Sequence, residues 1–151
     1  MSRFATTAAT WIAAISLLFG ALPSSWAAMP TPITVYKSPT CGCCEQWIKH
    51  LQANGFKVSA KDVAEIAPIK LKYGVPAALM SCHTALVGGY VIEGHVPAAT
   101  IRRLLRERPR VAGLTVPGMP QSAPGMDAAK AEPYEVLTFD ANGRSTVYER
   151  H

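Results

Sequence analysis

Hydrophobic and polar positions along this chain change period several times, and each change marks an element. "TPITVY" is β-branched and apolar, and predicts a strand over residues 33–37. "SPT" then supplies a turn. From Cys43, the stretch "CCEQWIKHLQANG" repeats Trp47, Ile48 and Leu51 on one helical face, and Asn54-Gly55 stops the helix. "FKVSAKDV" alternates as a second strand. "AEIAPIKLKYG" reads as a short helix ending at Gly74, with Pro68 weakening its middle. A hairpin is expected next, with strands at 79–87 and 90–93 about Gly88-Gly89. "PAATIRRLLRER" closes the series as a helix with Pro97 near its start.

The succession β-α-β-α-β-β-α predicts one compact α/β domain, with its core over residues 32–108. Residues 109–133 are rich in Pro and Gly and lack periodicity, which predicts a long loop. Loops of that length in a compact domain are usually functional or disordered. Residues 134–150 alternate on both sides of Asn142-Gly143, the signature of a C-terminal β-hairpin packed on the domain edge.

The N-terminal end carries a different pattern. Arg3 precedes the apolar run "WIAAISLLFGAL", and Ser25 and Ala27 put small residues before a cut after Ala27. Residues 1–27 therefore read as a signal peptide. The run is shorter than the ~20 residues of a bilayer span, so no stable membrane insertion is expected after the leader is removed. Export to the periplasm places residues 28–151 where disulfides persist.

The chain has 151 residues, 49% of them hydrophobic, as expected of one globular domain. Its formal net charge of +5 owes much to "RRLLRERPR", residues 102–110. Leu104 and Leu105 interrupt these arginines at helical spacing. A solvated helix face explains them better than a nucleic-acid surface does, and no nucleic-acid partner is expected.

The chemistry concentrates at "CGCC". Cys41, Cys43 and Cys44 open the first helix, and Cys82 is the fourth cysteine. Four cysteines permit three pairings, among which neighbours Cys43 and Cys44 are poor partners. A helix N-terminus lowers a thiol's pKa and enriches the thiolate, which is both nucleophile and metal ligand. Cys41 and Cys44 suit a redox couple. Cys43 adds a donor that such a couple does not use, unless it is only a small buried hydrophobe. Closely spaced thiolates suit a soft ion such as Cu(I), and can bridge several ions.

Cys82 and His83, read as successive strand residues, would point to opposite faces unless the strand bulges. Cys82 is a candidate ligand, with a core cysteine as the alternative. His83 is a candidate whose alternative is a hydrogen-bonded histidine. His95, in "EGHVP", sits at an element end suited to ligation. Met119 and Met126, in "PGMPQSAPGM", are soft thioethers in a polar loop, where they serve copper or tether the loop. His50 and His151 read as surface residues and Met80 as core. Zinc ranks behind copper, because Cys-x-Cys-Cys lacks the paired knuckles of structural zinc sites.

A strand, Cys-x-x-Cys opening a helix, and Val-Pro before a hairpin together resemble the thioredoxin fold. The elements "SPTCGCCEQW", "GVPAALMSCHTALVGGYVIEGHVP" and "VPGMPQSAPGM" more specifically resemble the CopG-type periplasmic copper proteins. The resemblance implies a thioredoxin-like mixed sheet flanked by helices, with a cis Val75–Pro76 bond beside the cysteines. It also implies Cu(I) held by the cysteine cluster and a role in copper resistance, including copper redox chemistry. Two rival readings stand beside it. One is a thiol–disulfide oxidoreductase in which Cys41 attacks and Cys44 resolves. The other is a non-catalytic copper carrier or sink that passes copper to a periplasmic copper-handling protein.

Overall fold

The computed structural model describes residues 30–126 and 130–151. The expected signal peptide lies outside the described residues. Strands β1 (Thr31–Lys37), β2 (Phe56–Asp62), β3 (Thr84–Val87), β4 (Tyr90–Glu93), β5 (Gly113–Thr115), β6 (Glu135–Phe139) and β7 (Ser145–Arg150) form one mixed sheet. Its order is β2-β1-β3-β4-β5-β6-β7. Helices α1 (Gly42–Ala53), α2 (Ala67–Lys72) and α3 (Ala98–Glu107) flank it, and a 3-10 turn spans Ala77–Leu79. This is the expected class: a mixed α/β sheet flanked by helices, with a C-terminal hairpin.

The period-2 and period-3.6 patterns explain the two cores. Trp47, Ile48 and Leu51 of α1 join Ile101 and Leu104 of α3 in one cluster, against Ile33, Val35, Ile92 and Leu114 of the sheet. The neighbouring β4 residue, Val91, belongs to a second cluster with Val75, Leu79 and Phe139. Successive strand residues thus feed opposite faces. Met80 packs against the second cluster, as expected of a core residue. Pro68 stands at the start of α2, where it is tolerated, and does not interrupt its middle. On α3, Arg102 lies over the Phe56 ring and Arg103 pairs with Glu107, so the basic run is a solvated face resting on aromatic rings.

Four expectations are corrected. The Val75–Pro76 bond is trans, since no cis peptide occurs among the described residues. Pro76 caps the 3-10 turn, its carbonyl accepting from Leu79 N–H at 2.8 Å, and does not lead straight into a strand. The strand expected at 79–87 accordingly begins only at Thr84. The segment after α3 contains β5, which pairs with β4 in parallel and with β6 antiparallel. The C-terminal hairpin joins the sheet at its edge, as the last two strands of the order. Gly113 allows this join, because a Cβ there would lie 1.9 Å from the Val91 carbonyl oxygen. Finally, His50 is not a simple surface residue. Its Nε2 accepts the Ala98 N–H at 3.1 Å and so caps the N-terminus of α3. His151 is exposed, and its ring stacks on Tyr134.

Candidate metal centre

The start of α1 sets the geometry of the cysteines. Cys41 N–H donates to the Ser38 carbonyl, closing the turn after β1, and the helix begins at Gly42. Lys37, buried at the end of β1, pairs with Glu45 of the first helical turn at 2.6 Å and with Asp62 of β2 at 2.7 Å. This ion triad ties the cysteine-bearing turn to two strands. The hydrogen bonds to Asp62 and then Glu45 raise the Lys37 pKa, so the amine stays charged.

Cys41 and Cys44 form a disulfide, and Cys43 and Cys82 are free. Cys44 is fully buried, whereas Cys41 and Cys43 are half-exposed. Cys43 Sγ lies 3.5 Å from Cys41 Sγ. Two donor groups emerge. The sulfurs of Cys41, Cys43, Cys44 and Cys82 all lie within 4.8 Å of one another. So do donor atoms of Cys44, Cys82, His83 and His95. Cys44 and Cys82 are common to both, so the two form one continuous centre with a sulfur side and an imidazole side.

Cys82 and His83 converge, contrary to the alternation expected of a strand. They precede β3, and Cys82 Sγ lies 3.3 Å from His83 Nδ1 and 3.2 Å from His95 Nε2. His95 Nδ1 is 2.7 Å from the Pro124 carbonyl, an acceptor that fixes the proton on Nδ1 and leaves Nε2 free to bind. His83 is completely buried, and its Nε2 has no hydrogen-bond partner. An orphaned buried nitrogen is uncommon, and here the other ring nitrogen, Nδ1, is the one that faces Cys82. Burial first, then the His95 and Lys70 charges, holds the His83 pKa well below the usual 6.5. Burial lowers that of His95. Both rings are therefore neutral at neutral pH, the form that binds metal. Burial, reinforced by the Cys43 charge, pushes the Cys82 thiol up to about 12.

The "PGMPQSAPGM" segment lies over α1. Gly125, with φ of +84°, packs so closely that a Cβ would lie 2.5 Å from Trp47 N. Met126 and Cys43 line the same cleft of about 420 Å³, together with Gly42, Gln46, Gln121 and Gly125. Met126 also packs against the main core, so it tethers the loop and borders the cleft at once. Met119 is half-buried in this loop, with φ of 47°, and is not among the residues lining the cleft.

Two contributors escaped the sequence reading. Trp47 was legible only as a core residue, yet its ring lies 4.2 Å from that of His83 and its indole N–H donates to the Val96 carbonyl. Lys70 and Glu93 form a buried ion pair behind Cys82 and His83. A charged residue closing the otherwise apolar "YVIE" was the one available signal.

Among the described residues no helix is long and apolar enough to cross a membrane. The family model described as "Protein of unknown function, DUF411" matches residues 79–126. No curated protein matches the chain. Two solved structures do, titled "Copper resistance protein copG- Form 2" and "Copper resistance protein copG- Form 1", with TM-scores of 0.76 and 0.75. Both are 43% identical to this chain, and each alignment covers 81% of it and 98% of the solved chain. With that identity over four-fifths of this chain and nearly the whole of each solved one, and with a cysteine cluster able to hold a metal, this chain belongs to the CopG family of copper resistance proteins.

Proposed function

We propose that this chain is an exported, periplasmic copper-binding protein that contributes to copper resistance. It holds Cu(I) through Cys41, Cys43, Cys44 and Cys82, with His95 and His83 on the imidazole side. Met126 borders the entrance, and Met119 serves as a further thioether donor from the same loop. The observation that carries this reading is the mutual approach of four cysteine sulfurs within 4.8 Å. Sulfur donors at this density suit a soft ion and can bridge more than one. The copper resistance names of the two similar solved structures support copper over zinc, although a Cys2His2 group can also hold zinc. Copper redox chemistry fits the same residues, since opening or closing the Cys41–Cys44 bond moves electrons next to the ion.

The test is Cys43→Ser, which leaves the Cys41/Cys44 couple intact. A multi-thiolate site loses copper when a soft sulfur becomes a hard oxygen. Copper bound per reduced protein, measured against a Cu(I) chelator, is expected to fall in Cys43→Ser and in Cys82→Ser. Full loading of Cys43→Ser overturns the reading. A zinc preference at matched free-metal concentrations overturns its choice of ion.

A second reading has its own support. The Cys41–Cys44 disulfide joins a half-exposed sulfur to a buried one, the arrangement a thiol–disulfide oxidoreductase uses. Exchange activity that survives both serine variants, with no copper bound by the parent protein, would favour it. A carrier or sink predicts copper transfer to an acceptor without turnover.

A further inference from the structure

We infer that Glu93 is the positioning residue of this centre: its buried carboxylate holds the chain at residues 81–84 in the bend that turns Cys82 and His83 toward the same point. The inference rests on the proposed metal centre for its consequence, and on geometry alone for its mechanism.

An extended chain at 81–84 would send Cys82 and His83 to opposite faces of the sheet. The observed chain does otherwise because a side chain takes the place of the ladder. One Glu93 carboxylate oxygen accepts the Ser81 N–H and the Lys70 ammonium. The other accepts the Thr84 hydroxyl at 2.7 Å, and that hydroxyl in turn accepts from Lys70 at 3.1 Å. Thr84 is the cross-strand partner of Glu93, so the regular pairing of β3 with β4 ends at this pair. Beyond it the Gly94 N–H donates to the His83 carbonyl at 3.3 Å. The segment bearing Cys82 and His83 is thus pinned at Ser81 and Thr84 by a single carboxylate, and at His83 by the residue that follows it.

Lys70, Thr84 and Glu93 are all buried. A buried ion pair stabilises little compared with apolar packing of the same volume, but breaking it leaves a costly lone charge. A role in placing donors therefore separates from a role in stability only when both charges are removed together.

Two double variants make that separation. E93Q/K70M removes both charges and keeps an amide oxygen to accept the Ser81 N–H. E93L/K70M removes both charges and the acceptor. Amide hydrogen exchange at Ser81 and alkylation of Cys82 read the bend without copper, and copper stoichiometry of the reduced protein reads its consequence. In the parent protein the Ser81 amide should be protected as strongly as those of β4. E93Q/K70M should keep that protection, slow labelling of Cys82 and full copper loading. In E93L/K70M, Ser81 exchange and Cys82 labelling should both rise about tenfold or more, the effect of losing a hydrogen bond to a buried charged acceptor. Copper loading should fall with them.

Parent-like exchange and labelling in both variants overturn the inference, as does equal loosening in both, which would make the ion pair rather than the acceptor responsible. An exposed, rapidly exchanging Ser81 amide in the parent protein overturns it with no variant needed, even if E93L/K70M fails to fold. A loosened bend with copper loading intact would uphold the role of Glu93 and instead remove Cys82 and His83 from the proposed ligand set.

Discussion

Cys44 is bonded to Cys41 and is at the same time a member of both donor groups of the centre. A sulfur in a disulfide has no thiolate to offer a metal, so the closed bond withdraws two donors, Cys41 and Cys44, from the four-cysteine group and one, Cys44, from the group with the histidines. Protein oxidised with diamide is expected to bind less Cu(I) than dithiothreitol-reduced protein, and to regain it on reduction. Equal copper stoichiometry in the two states, with the disulfide verified by mass, would separate metal binding from this bond.

The two free thiols differ in environment. Cys43 lines the cleft, whereas burial raises the Cys82 pKa to about 12. The Cys82 thiol is then protonated at neutral and mildly alkaline pH and is a poor nucleophile. Iodoacetamide should label Cys43 before Cys82 in the oxidised protein, as resolved by peptide mass spectrometry. Both thiols are half-exposed, so the order rests on the raised Cys82 pKa, and labelling of Cys82 first would overturn it.

Gly125 and Gly118 both have positive φ, but only Gly125 abuts α1. Gly125→Ala should destabilise by about 1–3 kcal/mol through backbone strain, with the Trp47 contact added. Gly118→Ala carries strain alone, since nothing lies within 4 Å of its Cβ position. Urea unfolding should rank Gly125→Ala as the less stable. Equal midpoints would show that the loop yields without cost.

His50, His83 and His95 all have pKa values lowered by burial from the usual 6.5. For a base with a depressed folded pKa, the unfolded chain takes up the proton first as pH falls. Stability is therefore at its full value above 6.5 and declines below it, until the folded protein also protonates. Urea midpoints of metal-free protein taken from about pH 8 to about pH 5 should show this fall. His83→Leu should shrink it, because His83 is the most deeply buried of the three. A flat profile would show that these rings are solvated.

Short-range signals were enough for β1, α1, β2, α3, β4 and the C-terminal hairpin: α1 and α3 each bury one face whose spacing records it, and the Gly88-Gly89 and Asn142-Gly143 turns mark the hairpins. The three cysteines of "CGCC" were equally readable, since the start of one helix places all of them. His95 was readable as an element-end donor, although nothing local put it 3.2 Å from Cys82.

The rest depended on contacts between distant segments. β5 is three residues long and includes a glycine, and only the backbones of β4 and β6 on either side make it a strand. The bend at 81–84 was mistaken for strand because its ladder partner is replaced by the Glu93 carboxylate, which arrives from β4. That exchange of a backbone acceptor for a side-chain one leaves no trace in periodicity. It is also why Cys82 and His83 face one point. Donor types and their local spacing were written along the chain, but their convergence was decided by the hairpin, the covering loop and a buried carboxylate, whose geometry exists only once the sheet has formed.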